Sequence, residues 1–389
     1  MNPTHSPRRK APATRLLPVA FAAMLAAGGA LAQTPPPTNA LPALQGGSTP
    51  RNATIGPQTG TAGAPVMNIN QNAPRGVIQW QSFDIGSAAR VNIVQPNAQS
   101  VLVNHVTGAN APASQIYGQL SANGRVFLVN PAGVTFGPNA QVNVGSLVAS
   151  TLDLTPAMTA GNYEAIAGPN AGNTLSFAGT GLAGIDVQSG ATITADPAGG
   201  GSVVLVDHSR VSQNGVINAL RGRVALSTGS AANIVLPATP SGFLDLRVTQ
   251  ASNVTTFVDT SSGSVIAAEG GSVVIGHRAP RSTSASDNIT LAGTINVGST
   301  TGAAGSVRVD AGGGDNSSVY LDDGSIIAAR GTGTGQTGGS VTLLGSNVTL
   351  EARSNFSTAL PPLTSATIDV SGSAGGGSIV LGGGTTRRA

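Results

Sequence analysis

The sequence is defined first by what it has little of. It contains no cysteine, only 3% aromatic residues and only 9% charged residues among 389. Without cysteine, neither disulfides nor thiolate metal sites can stabilise the chain, so stability must come from length and stacking. The same absence suits a chain that stays unfolded while it crosses an oxidising compartment. With so few aromatic side chains an ordinary globular core lacks its largest members, whereas thin, repeated layers of Val, Ile, Leu and Ala do not need them. No segment of ten or more residues after the leader keeps a 3.6-residue apolar period, which excludes a helical fold. The 54 glycines keep no period of three, which excludes collagen.

The calculated pI of 9.9 suggests nucleic acid until the charges are located. Arg8, Arg9, Lys10 and Arg15 all lie in the first 32 residues, which hold no acid. The remainder carries 19 − 4 = 15 basic and 16 acidic residues, a net of 15 − 16 = −1, so no basic patch argues for nucleic acid. Those four cations, the apolar run from Leu16 to Ala27 and the small residues Ala30-Leu31-Ala32 form a secretory signal over residues 1–32, cleaved between Ala32 and Gln33. Lys10-Ala11-Pro12 after the arginine pair argues against twin-arginine export. The apolar run is too short to cross a bilayer and no later one qualifies, so the mature chain is expected not to be integral to a membrane.

What is abundant is glycine, proline and short β-prone runs. Residues 33–62 hold Pro35, Pro36, Pro37, Pro42, Pro50 and Pro57 and read as an extended linker, with order expected from near Pro65. From Val77 onward, runs such as Val77-Ile78-Gln79-Trp80, Val91-Asn92-Ile93-Val94 and Val126-Phe127-Leu128-Val129 are separated by Asn, Pro and Gly corners too short for crossover helices. In the second half a Gly-Ser pair precedes a β-branched residue at Val203, Val273, Val307, Val341 and Ile379, in steps of 70, 34, 34 and 38 residues. These steps read as multiples of one unit of about 34. Such a period predicts a solenoid. A parallel β-helix fits better than a propeller, whose blades need longer strands and aromatic signatures. At about 20 to 30 residues per coil it would have about 11 to 16 coils and a length of about 50 to 75 Å.

The stretch from Pro74 to Leu154 resembles the N-terminal secretion domain of the filamentous haemagglutinin family, the exoproteins of two-partner secretion. The residues that carry the resemblance are GVIQWQSFDIG from Gly76, VQPNAQSVLVNHVTG from Val94, SQIYGQLSANGRVFLVNPAGVTFG from Ser114 and VGSLVASTLDL from Val144. Gly200 to Ser227 and Phe243 to Val248 continue it more weakly. The family motif Asn-Pro-Asn-Gly-Ile stands here as Asn130-Pro131-Ala132-Gly133-Val134, and Asn-Pro-Asn-Leu is missing, Gln95-Pro96-Asn97-Ala98 being its nearest echo. This pattern is closer to the high-molecular-weight adhesin branch. The resemblance implies an all-β, right-handed parallel β-helix with a capped N-terminal secretion domain over residues 63–300, continued by further coils over 301–389, where the repeats stop at Leu381. It also implies Sec export, then passage through an outer-membrane transporter carrying POTRA domains, and a secreted or surface-exposed adhesin. A host-cell or matrix glycan or protein receptor belongs to that expectation.

Asn130 to Val134 is the expected recognition motif, with Trp80, Phe83, Asn104, Asn123, Gly124, Phe136 and Gly137 as supporting positions. Physically, Pro131 pre-sets a turn, Gly133 can take a positive φ and Asn130 can cap the turn through its side chain. The same residues also suit a plain coil corner. The alternative function is a stand-alone structural or glycan-binding β-helix. An enzyme would need clustered carboxylates, for which Asp322-Asp323 with Arg308 and Arg330 is the nearest set, and adjacent aspartates on a strand point to opposite sides. His105, His208 and His277 follow no metal spacing. The Gly-x-Gly-x-x-Gly patterns at Gly179 and Gly333 open no helix, and Gly312-Gly313-Gly314-Asp315 lacks the repetition of a calcium turn. Trp80 and Phe83 read as core or cap residues. No cofactor, metal or catalytic role is expected.

Overall fold

The computed structural model describes residues 34–382 apart from 109, 156–163, 169–170, 197–199, 238, 240–241, 277–285, 313–316 and 352–364. The signal segment with Ala32 and Gln33, His277, Gly313, Gly314 and Asp315 lie outside the described residues. The chain divides into Met1–Thr34 and Pro35–Ala389, and everything below concerns the second unit.

Short strands wind through three parallel faces, giving the β-helix that the repeats predict. The first face runs from Arg75–Ser82 through Val101–Val106, Arg125–Val129 and Ser146–Ser150 to Ser378–Gly382. It has 11 strands, of which the first, Ala43–Leu44, is antiparallel, so 11 − 1 = 10 run parallel. At about 4.8 Å per strand these span about 43 Å, below the expected range. Long excursions explain the shortfall: the coil from Ser146 to Ser202 takes 202 − 146 = 56 residues. The step of 70 between Ser202 and Ser272 is likewise one coil of 223 − 202 = 21 and one of 272 − 223 = 49 residues, not two repeats of 34.

Register explains the sequence pattern. One interior column of the first face reads Ile78, Asn104, Leu128, Ala149, Leu205, Leu226, Ile275, Val309, Leu343 and Leu381, each one coil above the last. Each fully buried Val, Leu or Ile of such a column contributes about 1.5–3 kcal/mol. A column of glycines, Gly124, Gly145, Gly201, Gly222, Gly271, Gly305, Gly339 and Gly377, runs up the corner before this face. From Gly222 upward, a Cβ on each glycine would overlap the carbonyl oxygen of the glycine one coil below. That carbonyl is occupied: Gly201, Gly222, Gly271, Gly305 and Gly339 each accept the N–H of the residue following the next glycine.

Two features depart from the sequence reading. Residues 43–61 are not a loose linker. Ala43–Leu44 pairs antiparallel with Arg75–Ser82, Ala53–Ile55 pairs antiparallel with Ala64–Gln71, and Thr59–Thr61 forms a hairpin with the same strand. These strands cap the helix and cover edges that would otherwise stand open. The prolines sit between the strands, where a missing N–H costs nothing.

The second departure is a separate antiparallel sheet, Asp153–Thr155, Thr174–Ala178, Ala231–Val235 and Asp245–Gln250, formed by the excursions. It packs on the outside of the first face through Leu154, Leu175, Phe177, Ala232 and Ile234 against Val103, Phe127, Val148 and Val204. From Val101–Val106 to Ser202–Asp207 the first face is therefore covered on both sides. Val101–Val106, Arg125–Val129, Ser146–Ser150 and Ser202–Asp207 are buried at every residue, whereas Ser340–Leu344 alternates. The only described helix is one turn, Glu164–Ala167.

Candidate functional site: the Asn130–Val134 corner

Asn130 ends the strand Arg125–Val129 on the first face, and Val134 begins Val134–Phe136 on the second. The corner between them is fixed from inside. Asn130 is wholly buried. Its Oδ1 accepts the N–H of Ala132 at 2.9 Å, and its carbonyl accepts the N–H of Gly133 at 3.0 Å, an Asx turn within a β-turn. Its Nδ2 donates to the carbonyl of Pro112 and to Oγ of Ser114, both at 2.9 Å, which ties the corner to the coil below. Gly133 has φ = 119°, a conformation that favours glycine, and a Cβ there would press on Ala113 at 3.3 Å. Val134 is buried in the coil interior.

Only Pro131 and Ala132 of the five are exposed. The motif is thus a rigid scaffold with a two-residue apex. None of the five residues is a nucleophile, an acid or a base.

The supporting positions do not gather around this apex. Trp80 and Phe83 are wholly buried and meet edge to face, with ring centroids 5.5 Å apart. Phe136 belongs to the same interior cluster. The exposed Asn123 binds both backbone groups of Gln95, accepting its N–H at 2.7 Å and donating to its carbonyl at 2.8 Å. Gly124 begins the glycine column, and Gly137 lies under the ring of Tyr117, leaving no room for a Cβ. Gln95 itself donates to Gln71 Oε1 at 2.9 Å and to the carbonyl of Ser100 at 3.1 Å. Asn97 caps its own turn through the N–H of Gln99 at 3.0 Å.

Several residues that matter were not singled out. Thr151 and Asp207 stand above Asn130 at the same corner, since Val129, Ser150 and Val206 are in register. Asp207 is fully buried and accepts from the Thr151 hydroxyl, the Ser209 N–H, the Gly184 N–H at 3.1 Å and the Arg210 N–H at 2.6 Å. Its signal was a carboxylate closing the apolar run Val203 to Val206. His105 reaches Asp153 of the side sheet at 2.7 Å. Burial opposes the charge of Asp153, but the hydrogen bond and charge of His105 with the Leu154 N–H outweigh it and lower its pKa. The buried His208 meets the Ser252 hydroxyl at 3.3 Å, two residues past the last strand of the side sheet. Burial raises the pKa of Asp84 against the bond from Gln115 N–H, and that of Asp186 and Asp259 against the charge of Arg210.

The cations expected beside Asp322 and Asp323 are engaged elsewhere. Arg308 pairs with Asp310 at 2.5 Å, and Arg330 pairs with Asp369 at 2.7 Å.

Comparison with known proteins agrees with this architecture. Over 164 residues, 42% of this chain, the sequence is 39% identical to a heme/hemopexin-binding protein of Haemophilus influenzae, of which the match spans 17%. A second heme/hemopexin-binding protein of that species is 47% identical over 91 residues, 23% of this chain and 10% of the relative. The chain thus matches less than a fifth of the length of either relative. Among solved structures, the HMW1 secretion domain from Haemophilus influenzae shares the fold at a TM-score of 0.54 and 21% identity, covering 86% of this chain and 96% of that one. The TPS secretion domain profile matches residues 43–319, a span that begins at the first capping strand. The chain therefore belongs to the TPS secretion domain family, the secretion domains of exoproteins that pair with an outer-membrane transporter.

Proposed function

We propose that this domain routes a secreted adhesin-type exoprotein to the POTRA domains of its outer-membrane transporter, after Sec export directed by residues 1–32. The corner Asn130 to Val134 takes part in that selection. The observation that carries the reading is the form of the corner, whose Asn130 scaffold holds Pro131 and Ala132 out as the exposed pair. The family match supports the same direction.

Folding then follows passage. Each coil that emerges buries its interior column and closes one rung on all three faces, so folding outside biases transport without nucleotide hydrolysis. The capping strands of residues 43–61 emerge first and give the second coil an edge to build on.

The test separates recognition from folding. Asn130→Ala with Gly133→Val attacks the scaffold, and Ala132→Glu alters the apex alone. Both are expected to lower secretion in cells carrying the transporter. Export at the wild-type level with Ala132→Glu, together with a secretion loss in the double variant that tracks its lost stability, would reduce the motif to a coil corner. Continued export after deletion of the transporter would instead favour a stand-alone structural or glycan-binding β-helix. The heme/hemopexin binding in the relatives' names is not carried over, because the matched lengths are a small part of those proteins.

A further inference from the structure

The side sheet ends at the strand Asp245–Gln250, which pairs with Ala231–Val235 on one edge and with no strand among the described residues on the other. Beneath that open edge lies the outer surface of the first face. Its outward column reads Val103, Phe127, Val148, Val204, Ala225, Val274, Arg308 and Thr342, one coil apart. The members from Val103 to Ala225 are buried, Val274 is half-buried, and Arg308 starts a polar surface. The apolar column therefore runs one coil past Ala225, the last buried member. Strands in a sheet and coils in the stack share the same spacing of about 4.8 Å, so the step left uncovered by the described residues is the width of one strand.

The resulting groove, about 340 Å³, has Ala225, Val274 and Gly276 in its floor, with Leu246 and Val248 on the edge strand. Its charges are unbalanced: Arg223, Arg247, Arg308 and Asp310 line it, and with Asp245, the partner of the first two, the net is 3 − 2 = +1. Arg223 and Arg247 share Asp245, and Nε of Arg223 is buried without an acceptor. The strands Ser306–Asp310, Ser340–Leu344 and Ser378–Gly382 continue the first face above the groove, so a second copy joining edge to edge would drive its own rod into this one. A single extended segment meets no such obstacle.

We infer that the open edge Asp245–Gln250 accepts one added β-strand from a partner polypeptide, an extended segment that alternates apolar and acidic residues. Its backbone completes the ladder of the side sheet, an apolar side chain covers Val274, and a carboxylate reaches Arg223, Arg247 or Arg308. The inference stands apart from transporter selection at Asn130 to Val134 and uses none of those residues.

The experiment uses the full chain and a fluorescein-labelled, end-capped peptide that alternates valine with glutamate. Fluorescence anisotropy is expected to show saturable binding, with slower amide exchange in residues 245–250. Affinity should fall at least tenfold for a valine–lysine peptide and for a valine–glutamate peptide with alternate backbone nitrogens methylated. Val274→Glu should also weaken binding at least tenfold, whereas Thr342→Glu, two coils further along the same column, should not. Equal binding of the methylated peptide, no saturation at millimolar peptide, or equal losses from Val274→Glu and Thr342→Glu would each overturn the inference. Circular dichroism and thermal melting of both variants distinguish a lost groove from a lost fold.

Discussion

The indole N–H of Trp80 donates to Oδ1 of Asn104 across 3.1 Å in the interior of the first coils, where both side chains are wholly buried. Asn104 also donates to the carbonyl of Phe127 at 3.3 Å, and it is the one polar member of its interior column. Truncation to Ala leaves the buried indole donor without its acceptor and removes the side-chain bond to the Phe127 carbonyl. The expected cost is about 1–3 kcal/mol in urea unfolding. Trp80 is the sole tryptophan, so its emission reports this region alone. Unchanged stability of Asn104→Ala by that signal would show that water replaces the lost partners.

The glycine column makes a sharper prediction. Gly305→Ala places a Cβ on the carbonyl oxygen of Gly271, an oxygen already bonded to the N–H of Ser306, so the coils must separate. Gly63→Ala, with nothing within 4 Å, is the control. The first is expected to cost at least about 2 kcal/mol and the second well under 1 kcal/mol. Equal melting temperatures for the two variants would refute close coil approach at this corner.

The pairing of His105 with Asp153 predicts how stability responds to acid. The folded pKa of Asp153 lies below its unfolded value near 3.8, because the His105 contacts and the Leu154 N–H outweigh burial. A depressed carboxyl contributes stability that is present above the unfolded pKa and is lost as pH falls through the folded one. Over the acid range, the stability gap between wild type and His105→Asn is therefore expected to stay level from about pH 6 to about pH 5 and to narrow below about pH 4. Urea midpoints measured from pH 2.5 to pH 6 check this. Two curves that stay parallel throughout would mean that His105 acts through packing alone.

The winding of the chain was legible in the sequence because it is written locally. A strand of three to six residues and a corner of Asn, Pro or Gly each need only their own neighbours, and Asn130, Pro131 and Gly133 made their turn as their residue types require. The cap was hidden because the strands Ala43–Leu44 and Thr59–Thr61 are too short to alternate, and proline-rich text surrounds them. The side sheet was hidden for a different reason. Its strands come from two excursions separated by two coils, so only long-range contact unites them. One trace was present: Val126 to Val129 and Val203 to Val206 are unbroken apolar runs, the mark of a strand covered on both sides, while Ser340 to Leu344 alternates. Charge was misleading in a similar way, since Arg308 and Arg330 looked free beside Asp322 and Asp323 but belong to Asp310 and Asp369.

The side sheet should also come away from the rod before the rod unfolds. Its core and the coil interior are separate clusters, divided by the backbone of the first face, and Phe177 lies in the outer one while Trp80 lies in the inner one. Phe177 is 1% exposed, and truncating a phenylalanine at such a site costs about 3–5 kcal/mol. In Phe177→Ala that loss falls on the four antiparallel strands, since the three parallel ladders keep every interior side chain. Amide exchange in Thr174–Ala178 and Ala231–Val235 is expected to quicken at least a hundredfold in the absence of denaturant, with Trp80 emission unchanged. If exchange instead quickens together in the side sheet and in the interior strands, the rod and its cover form one cooperative unit, and the side sheet is needed for the coils beneath it to fold.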